Sequence, residues 1–397
     1  MSRRILVVTI PPTTGGVPAK TRILCDFLRR LGHEVTLAYY ATISDHPDLV
    51  VPSWRFLSGA RPGIQKGMCF DTQPCVAVGC WLPELEFSYY RPSADWIELV
   101  AAHDRHIAVG GTILVSNILN AAKVPHMVWC ASTMIDDRMD RRRAMPFARR
   151  VFDQAVVGTV QSRMERKLLG GGATFMAVSS YAADTLIAKG ASSERMNVVP
   201  VPVDTDVFSP PSSSPKAARI GFAGRPEDPR KNLPLLLRAV AELKRQGVMA
   251  MLALTGEAQT ALLNLAQNLG IDEQISFAGW LPDEDLPAFL QSLDVFVFAS
   301  GKEGLGISGL QAMACGVPVV STRCGGPEDY VLPGKTGQLT EATPSALADA
   351  LAQIINDRDL RARMSAGARN LMTERYTLKT FERNITEAWR KTWNEAI

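Results

Sequence analysis

The sequence predicts an α/β protein made of two doubly wound halves, each a parallel sheet with helices on both faces. Apolar strand segments alternate with helical segments along most of the 397 residues, and a Pro- and Ser-rich stretch at 201–218 interrupts the alternation. Ligands of such sheets bind beyond the carboxyl ends of the strands. We therefore expect the chemistry on the loops after the strands, in a cleft where the halves face each other.

The first half opens with a strand, a glycine loop, a helix and a second strand. The segments are ILVVTI, PPTTGG, a helical pattern from about Ala19 to Leu31, and HEVTLAYY. The alternation continues with IAVGGTILVS and a helix ending near Lys123, MVWCA, a long helix from Pro146 to Leu169, TFMAVS, YAADTLIAK and MNVVPV.

The second half begins at residue 219 and repeats the pattern. Its segments are strand RIGFAG, helix 233–245, strand 249–255, helix 259–269, strand ISFAG, helix 284–292, strand VFVFAS, helix 307–315, strand PVVST and helices 344–355 and 359–373. A last helix, 378–397, carries Phe381, Ile385, Trp389 and Trp393 as an apolar stripe.

Composition and charge exclude several classes of protein. With 46% hydrophobic and 21% charged residues, the chain is neither disordered nor fibrous. A net charge of +3 gives no broad basic field for nucleic acid. The apolar run from Ile5 to Ile10 is too short for a signal peptide, and the longest uncharged stretch, 304–322, contains Pro318 and four glycines, unlike a membrane span. We expect a cytoplasmic protein.

The seven cysteines include no C-x-x-C pair, which favours reduced thiols over a metal or redox site. Cys69, Cys75 and Cys80 are close in sequence, but their spacing matches no metal pattern, so we expect packing thiols.

Two other groups of residues suggest metal binding, but a structural role is favoured for both. Asp204 and Asp206 form a D-x-D string within the linker. His103, Asp104 and His106 directly precede an apolar strand and are predicted to form a surface turn.

The densest candidate site follows VFVFAS and reads GKEGLGISGLQAMACGVPVVST. Its glycines allow close backbone approach, and N–H groups at a helix start favour a phosphate. Glu303 would repel phosphate but accepts hydrogen bonds well from sugar hydroxyls. Gln311, about a turn beyond Ile307, could meet a ribose. The pattern predicts a site for a sugar joined to phosphate.

Cations precede the first helix of the second half. The segment GFAGRPEDPRKNLPLLL places Arg225, Arg230 and Lys231 between a strand and a helix, where they could neutralise a leaving diphosphate. The alternative is that Arg230 or Lys231 only caps a solvated helix start.

In their order and spacing, these segments resemble the retaining glycosyltransferases of family 4. The resemblance rests on the GG loop with LRRLGHEV, PVPVDTDVF, GRPEDPRKN, FAGWLPDEDL, and EGLGISGLQAMACGVPVVSTRCGGPEDYV followed by GKTG. It implies the GT-B fold, in which two Rossmann-like domains face each other across a nucleotide-sugar cleft. The implied domains are an acceptor-binding domain at 1–205 and a donor-binding domain at 206–377, with helix 378–397 packing back on the first.

The resemblance also implies roles for individual residues. Arg225 and Lys231 match the diphosphate-binding pair, and Glu303 matches the first acid of the E-x7-E motif, so these three are the catalytic candidates. Gly16 is expected to face the donor phosphates, Gly304 to Ile307 to offer N–H groups, and Gly279 to Leu281 to lie beside the base. The further donor-binding candidates are therefore Gly16, Gly256, Gly279, Trp280, Leu281, Gly304, Leu305, Gly306, Ile307 and Gln311.

Two positions depart from the family pattern. Gln311 stands where the motif has its second glutamate, and a neutral amide lacks the charge-assisted acceptance of a carboxylate. Many relatives carry a histidine where this chain reads MVWCASTM, so that Cys130 or Ser132 takes its place. The replacement at Gln311 is expected to affect donor affinity or donor identity.

The implied activity is retaining transfer of a sugar from a nucleotide-diphosphate sugar, UDP- or GDP-linked, to a hydroxyl of a glycan, lipid or small molecule. No metal is expected, because Arg225, Lys231 and the helix start can stabilise the leaving diphosphate. A glycan phosphorylase on the same architecture and a catalytically silent sugar-nucleotide-binding protein stay open as alternatives. Gln311 and the absent histidine motivate the silent binder.

A basic run in the first half has two interpretations. The segment DDRMDRRR with Arg149, Arg150, Arg163, Arg166 and Lys167 either holds an anionic acceptor or anionic lipid, or is a solvated helix face. Peripheral contact with the inner membrane face therefore stays open.

Overall fold

The computed structural model describes residues 2–13, 15–211 and 218–397, and leaves out the side chains of residues 140, 141, 143 and 144. One residue of the PPTTGG loop, Thr14, and residues 212–217 of the predicted linker lie outside this description. The chain divides into two compact units, Met1–Val199 with Glu382–Ile397, and Pro200–Phe381.

The first unit is built on a mostly parallel sheet. Within the described residues its strands are β1 (Arg4–Thr9), β2 (Glu34–Tyr40), β3 (Ile64–Cys69), β4 (Gln73–Val78), β5 (Arg105–Val109), β6 (Met127–Cys130), β7 (Thr174–Ala177) and β8 (Met196–Val198). Their order is β3-β4-β2-β1-β5-β6-β7-β8, and only the β3–β4 pair is antiparallel among them. The central β1 pairs Ile5 with Val35 and with Arg105.

Helices cover this sheet because their apolar faces need burial. They are α1 (Gly16–Arg30), α2 (Ala94–Ala101), α3 (Asn117–Ala121), α4 (Met134–Ala144), α5 (Phe147–Phe152), α6 (Gly158–Leu169) and α7 (Ser180–Ala188). The long helix predicted from Pro146 to Leu169 is α5 and α6 joined by a π-helical segment, Asp153–Val157. Such π segments are rare and occur mostly as single turns inside α-helices.

Two predictions for the first unit are wrong. Cys69 and Cys75 are not packing thiols, because they form a disulfide across the β3–β4 hairpin. His106 is not in a surface turn: it lies in β5, is buried, and its Nε2 is 2.9 Å from the carbonyl oxygen of Val100. The neighbouring Asp104 accepts a hydrogen bond from the backbone N–H of Arg4.

The second unit has a fully parallel sheet. Among the described residues its strands are β9 (Arg219–Phe222), β10 (Met251–Leu254), β11 (Ile275–Phe277), β12 (Val295–Phe298), β13 (Val319–Thr322) and β14 (Gly337–Thr340), in the order β11-β10-β9-β12-β13-β14. Its helices are α8 (Leu233–Arg245), α9 (Thr260–Asn268), α10 (Leu286–Gln291), α11 (Ile307–Ala314), α12 (Pro344–Asn356) and α13 (Arg358–Arg375). The predicted α/β class with two parallel-sheet domains is thus confirmed.

The last helix, α14 (Leu378–Trp393), belongs mainly to the first unit. Ile385 and Trp389 are fully buried there. Beyond the helix, the carboxylate of Glu395 accepts hydrogen bonds from Arg3 at 2.8 Å and from Arg105 at 2.7 Å. The apolar stripe seen in the sequence is thus the buried face of this helix. In the described part of the chain, no helix has both the length and the apolar character needed to cross a bilayer.

Candidate functional site

Two adjacent strands of the second unit place their following loops side by side. β9 and β12 are parallel neighbours, with Val295 opposite Ile220, so both end at the same edge of the sheet. The backbone N–H of Gly301, after β12, donates to the carbonyl oxygen of Arg230, after β9, at 2.9 Å. This hydrogen bond ties the two loops together.

Lys231 and Glu303 meet at this junction. The Nζ of Lys231 is 2.6 Å from Oε2 of Glu303, and the two side chains are only 17% and 16% exposed. Ser300 adds a hydroxyl 3.5 Å from the same oxygen. The backbone of Glu303 is fixed on both sides, because its N–H donates to Cys324 and its carbonyl accepts from Gly326, each at 2.8 Å. The charges are therefore held in a shielded place, where electrostatic interactions are stronger than in water.

Asp228 organises the two arginines of the same loop. It caps the short 3₁₀ turn Pro229–Lys231 by accepting from the backbone N–H of Arg230. Its carboxylate also pairs with the Arg230 side chain at 2.7 Å and with that of Arg225 at 3.4 Å. Burial opposes ionisation of Asp228, but the hydrogen bonds and charge of Arg230 outweigh it and hold its pKa below the ordinary value. Arg225 remains 47% exposed and available to an anion.

The loop before α11 is shaped by a glycine and a buried tyrosine. Gly306 precedes the helix with φ of 80°, a conformation that favours glycine. A Cβ at this position would lie 2.7 Å from the hydroxyl of Tyr330 and 2.8 Å from the ring of Phe298. The same hydroxyl is 2.9 Å from the carbonyl oxygen of Leu305 and 3.0 Å from that of Gly306. Tyr330 thus holds the turn that starts the helix.

The first turn of α11 leaves backbone N–H groups without partners inside the helix, as at any helix start. Ile307 begins the helix and Gly304 is half-buried just before it, whereas the side chain of Leu305 is buried. Gln311 is half-buried one turn on, and its amide forms no hydrogen bond with any residue that the structure describes. The loop has the chemistry of an anion site beside a carboxylate.

The glycines predicted to lie near the base are joined to the arginine loop. Gly256 donates its N–H to the carbonyl oxygen of Gly279 at 2.7 Å. A Cβ on Gly256 would collide with the ring of Pro226, which directly follows Arg225. Beyond Gly279, the Trp280 side chain is 52% exposed and Leu281 is half-buried. The structure thus brings the loops after β9, β10 and β11 into contact.

The remaining sequence-predicted candidates lie in the first unit. Gly16 is exposed and opens α1. Ser132 donates to the carbonyl oxygen of Gly111 at 3.2 Å. Cys130 is buried, and burial raises the pKa of its thiol to about 12, although Lys20 opposes the rise. Neither residue has the surroundings of a general base.

Sequence reasoning missed Lys20. Its Nζ is buried and lies 2.9 Å from the carbonyl oxygen of Gly110, 3.1 Å from that of Trp129, and over the Trp129 ring. Burial lowers the pKa of Lys20 to about 7, against a small opposing effect of Cys130. The sequence did contain a sign that Lys20 is buried: it lies four residues before Leu24 and eight before Leu28, on the apolar face of α1.

Metal ions in proteins are usually held by clusters of His, Cys, Asp and Glu side chains. No group of three or more such side chains is close enough to hold an ion among the described residues. In the linker, Asp204 Oδ1 instead accepts from the backbone N–H groups of Asp206 and Val207, at 3.0 and 3.2 Å.

Comparison with known proteins gives a family match in the second unit. Residues 207–371 match the family model described as glycosyl transferases group 1. This range contains the Lys231–Glu303 pair, the Asp228 cluster and α11.

Curated relatives match part of the chain. A GDP-mannose-dependent alpha-(1-6)-phosphatidylinositol monomannoside mannosyltransferase of Mycolicibacterium smegmatis is 32% identical over 229 residues, which cover 53% of this chain and 60% of the relative. A D-inositol 3-phosphate glycosyltransferase of Corynebacterium jeikeium is 34% identical over 203 residues, covering 46% of this chain and 48% of the relative. The match thus spans about half to three fifths of these relatives.

A solved structure matches the fold along the chain. Sucrose-phosphate synthase of Thermosynechococcus elongatus has a TM-score of 0.77, with 16% identity and 99% of each chain covered. At this identity the likeness concerns the fold alone. Taken with the family match, it agrees with the resemblance found in the sequence motifs: residues 207–371 match the glycosyl transferases group 1, and the fold is that of the GT-B glycosyltransferases.

Proposed function

We propose that this protein transfers a sugar from a nucleotide-diphosphate sugar to a hydroxyl of an acceptor, with retention of configuration and without a metal. The observation that carries the proposal is the shielded Lys231–Glu303 pair beside the start of α11. A cation, a carboxylate and free helix N–H groups in one place suit a ligand that combines a diphosphate with sugar hydroxyls.

In the proposed reaction, the bond between the anomeric carbon and the diphosphate oxygen breaks. The acceptor oxygen forms its bond on the same face, and its proton passes to the departing phosphate oxygen. Lys231 and Arg225 stabilise the negative charge that develops on the diphosphate. Glu303 accepts a hydrogen bond from the transferred sugar and, being paired with Lys231, is positioned before the donor arrives. No protein base is needed at Cys130 or Ser132.

We further propose that the nucleotide is held by the loop at Gly279 to Leu281 and by Gln311, with Gly16 toward the phosphates. The N–H groups of Gly304 to Ile307 serve the sugar and the diphosphate, and Gly256 supports the nucleotide loop through Gly279. A relative named for its use of GDP-mannose makes this the first donor to test, followed by UDP-sugars. A glycan, lipid or small-molecule hydroxyl is the proposed acceptor class, and a cytoplasmic location with peripheral membrane contact belongs to the same proposal.

Calorimetric titration with GDP, UDP, ADP and dTDP, first without metal and then with magnesium, tests the donor site. We expect one nucleotide to bind in both conditions, and Lys231→Ala to weaken it at least about tenfold because a charge-assisted contact to phosphate is lost. Lys335→Ala, at an exposed lysine of the same unit, is the matched control. Absence of binding by every nucleotide would contradict the proposal.

Transfer itself needs a second measurement. The purified chain is incubated with GDP-mannose and then UDP-glucose over a broad acceptor set, and proton NMR identifies the anomer of any product. An α-linked product from an α-linked donor is expected. Nucleotide binding without product over long incubation would instead favour the silent binder.

A further inference from the structure

A cavity in the first unit has walls rich in arginine. Its volume is about 460 Å³, and it lies between α4, the segment Asp153–Val157 and α6. The lining residues are Met134, Ile135, Arg142, Gln154, Gly158, Thr159, Ser162, Arg163 and Arg166. Three of these described residues are cationic and none is acidic. A cavity of this size is large enough for a small polar ligand.

Arg142 is fixed in the wall of the cavity. Its Nε donates to Oδ2 of Asp153 at 2.6 Å, and Asp153 is fully buried and also pairs with Arg138. Gly158 makes room for this arrangement, since a Cβ there would collide with the Arg142 guanidinium. Burial and the positive charge of Arg138 lower the pKa of Arg142, although it stays a cation at neutral pH.

Arg163 and Arg166 differ from Arg142 because no described residue is their partner. They lie three positions apart on α6 and are exposed, and neither forms an ion pair or a side-chain hydrogen bond with any residue in the described ranges. The half-buried Ser162 adds a hydroxyl to the same wall. The cavity therefore combines one fixed guanidinium with two that have no ion-pair partner among the described residues.

Guanidinium groups bind phosphate oxygens in pairs of parallel hydrogen bonds, and the attraction strengthens where several cations converge. We propose that this cavity binds the phosphate group of a phosphate ester through Arg142, Arg163 and Arg166. The ester is either a soluble molecule or the headgroup of a phospholipid, since both present the same group. Its role as the sugar acceptor rests on the proposed function, whereas its binding does not.

Binding is tested on the full chain with glycerol 3-phosphate by calorimetry and with phosphatidylcholine vesicles, with and without phosphatidylglycerol, by co-sedimentation. The double variant Arg163→Ala/Arg166→Ala removes the unpaired guanidinium groups. Arg150→Ala/Lys167→Ala removes the same charge at two positions that do not line the cavity, and serves as the control. We expect the first variant to lose at least about tenfold in affinity and the control less than about twofold.

The outcomes distinguish a soluble ester from a phospholipid headgroup, and they distinguish the proposed phosphate site from the proposed donor site. Binding of glycerol 3-phosphate that depends on Arg163 and Arg166 identifies a soluble ester, and the same dependence with vesicles alone identifies a headgroup. Equal loss in both double variants, or no binding of either probe, overturns the proposal. Binding that is lost in Lys231→Ala instead comes from the donor site and also overturns it. Nucleotide titration of the same preparations reports separately on the proposed function.

Discussion

Lys231 and Glu303 are 72 positions apart in sequence, yet their side chains meet at 2.6 Å on two loops that leave neighbouring strands. Each is the main charged partner that the structure shows for the other. A donor that binds here must share this pair or replace one half of it. Because the ammonium of lysine has several donors, Lys231 can contact a phosphate oxygen and keep Glu303 in place.

The first prediction concerns this pair. Lys231→Ala and Glu303→Ala should each lower turnover by at least about 10²-fold, the size expected when one electrostatic contact to the transition state is lost. The double variant should lose less than the product of the two effects, since the residues act together. Initial rates with the best donor, with circular dichroism to check folding, measure this. Rates near that of the unmodified protein in both single variants would remove the site assignment.

The second prediction concerns Gly306. Gly306→Ala should destabilise the second unit by about 2–4 kcal/mol, because it combines a left-handed residue with a collision against Tyr330 and Phe298. Gly270→Ala separates the two causes, since Gly270 has φ of 64° and open space around its missing side chain. This control should lose about 1–2 kcal/mol. Urea unfolding of both variants measures the difference, and equal losses would show that the contact with Tyr330 is unimportant.

The third prediction concerns Gln311. Gln311→Glu should raise nucleotide affinity at least about threefold, because a carboxylate accepts hydrogen bonds from ribose hydroxyls more strongly than an amide. Gln267→Glu adds the same charge at an exposed position on α9 and should leave affinity unchanged. Titration with all four nucleotides measures the effect. Unchanged affinity for each of them would mean that Gln311 does not touch the ribose.

The fourth prediction is a pH dependence caused by Lys20. Its pKa falls from 10.5 to about 7 on folding, so between these values the unfolded chain holds a proton that the folded chain lacks. Stability of the first unit should therefore rise with pH across this window, by about 1.4 kcal/mol per pH unit at most. Lys20→Met removes this contribution, whereas Lys167→Met at an exposed position keeps it.

Urea unfolding at several pH values between 7 and 9 checks this prediction. The difference in unfolding free energy between the unmodified protein and Lys20→Met should grow with pH. Cysteine thiols whose pKa is raised by burial, such as Cys130, act in the opposite direction above pH 9, which is why the window stops there. A pH-independent difference would show that Lys20 keeps its proton in the folded state.

The fifth prediction concerns the attachment of α14. Trp389→Ala should destabilise the first unit by about 3–5 kcal/mol, since the indole is fully buried. Trp393→Ala, at a half-buried tryptophan of the same helix whose ring lies 4.3 Å from that of Trp389, should lose clearly less. Unfolding followed by far-UV circular dichroism compares the two. A larger loss for Trp393 would show that the buried face is assigned wrongly.

Much of the fold could be predicted because its signals are local. The parallel strands of both units are short apolar runs bounded by glycine or proline, so the alternation with helices is visible along the chain. The β3–β4 hairpin is not among the strands that the sequence predicts. All residues of β3 are exposed or half-buried, so it lacks the buried alternation that marks a strand.

Only those parts of the candidate site that lie on loops after parallel strands could be predicted from the sequence. Lys231 and Glu303 were both placed on loops after predicted strands, where ligands of such sheets bind, and the structure brings the two side chains together. The support from Tyr330 was not foreseeable, because its partner carbonyls lie 24 and 25 positions away and offer no side-chain pattern. The donor-binding roles of these residues stay predictions.

The return of α14 to the first unit sets an order for synthesis on the ribosome. The second unit is one uninterrupted segment, Pro200–Phe381, and its contacts are all available once that segment has emerged. The first unit begins earlier, but Trp389, which is fully buried, and Glu395, which pairs with Arg105, are synthesised only after the second unit. The domain synthesised first is therefore the last to finish folding, and a ribosome that stalls near residue 381 would leave it incomplete and exposed to chaperones and proteases.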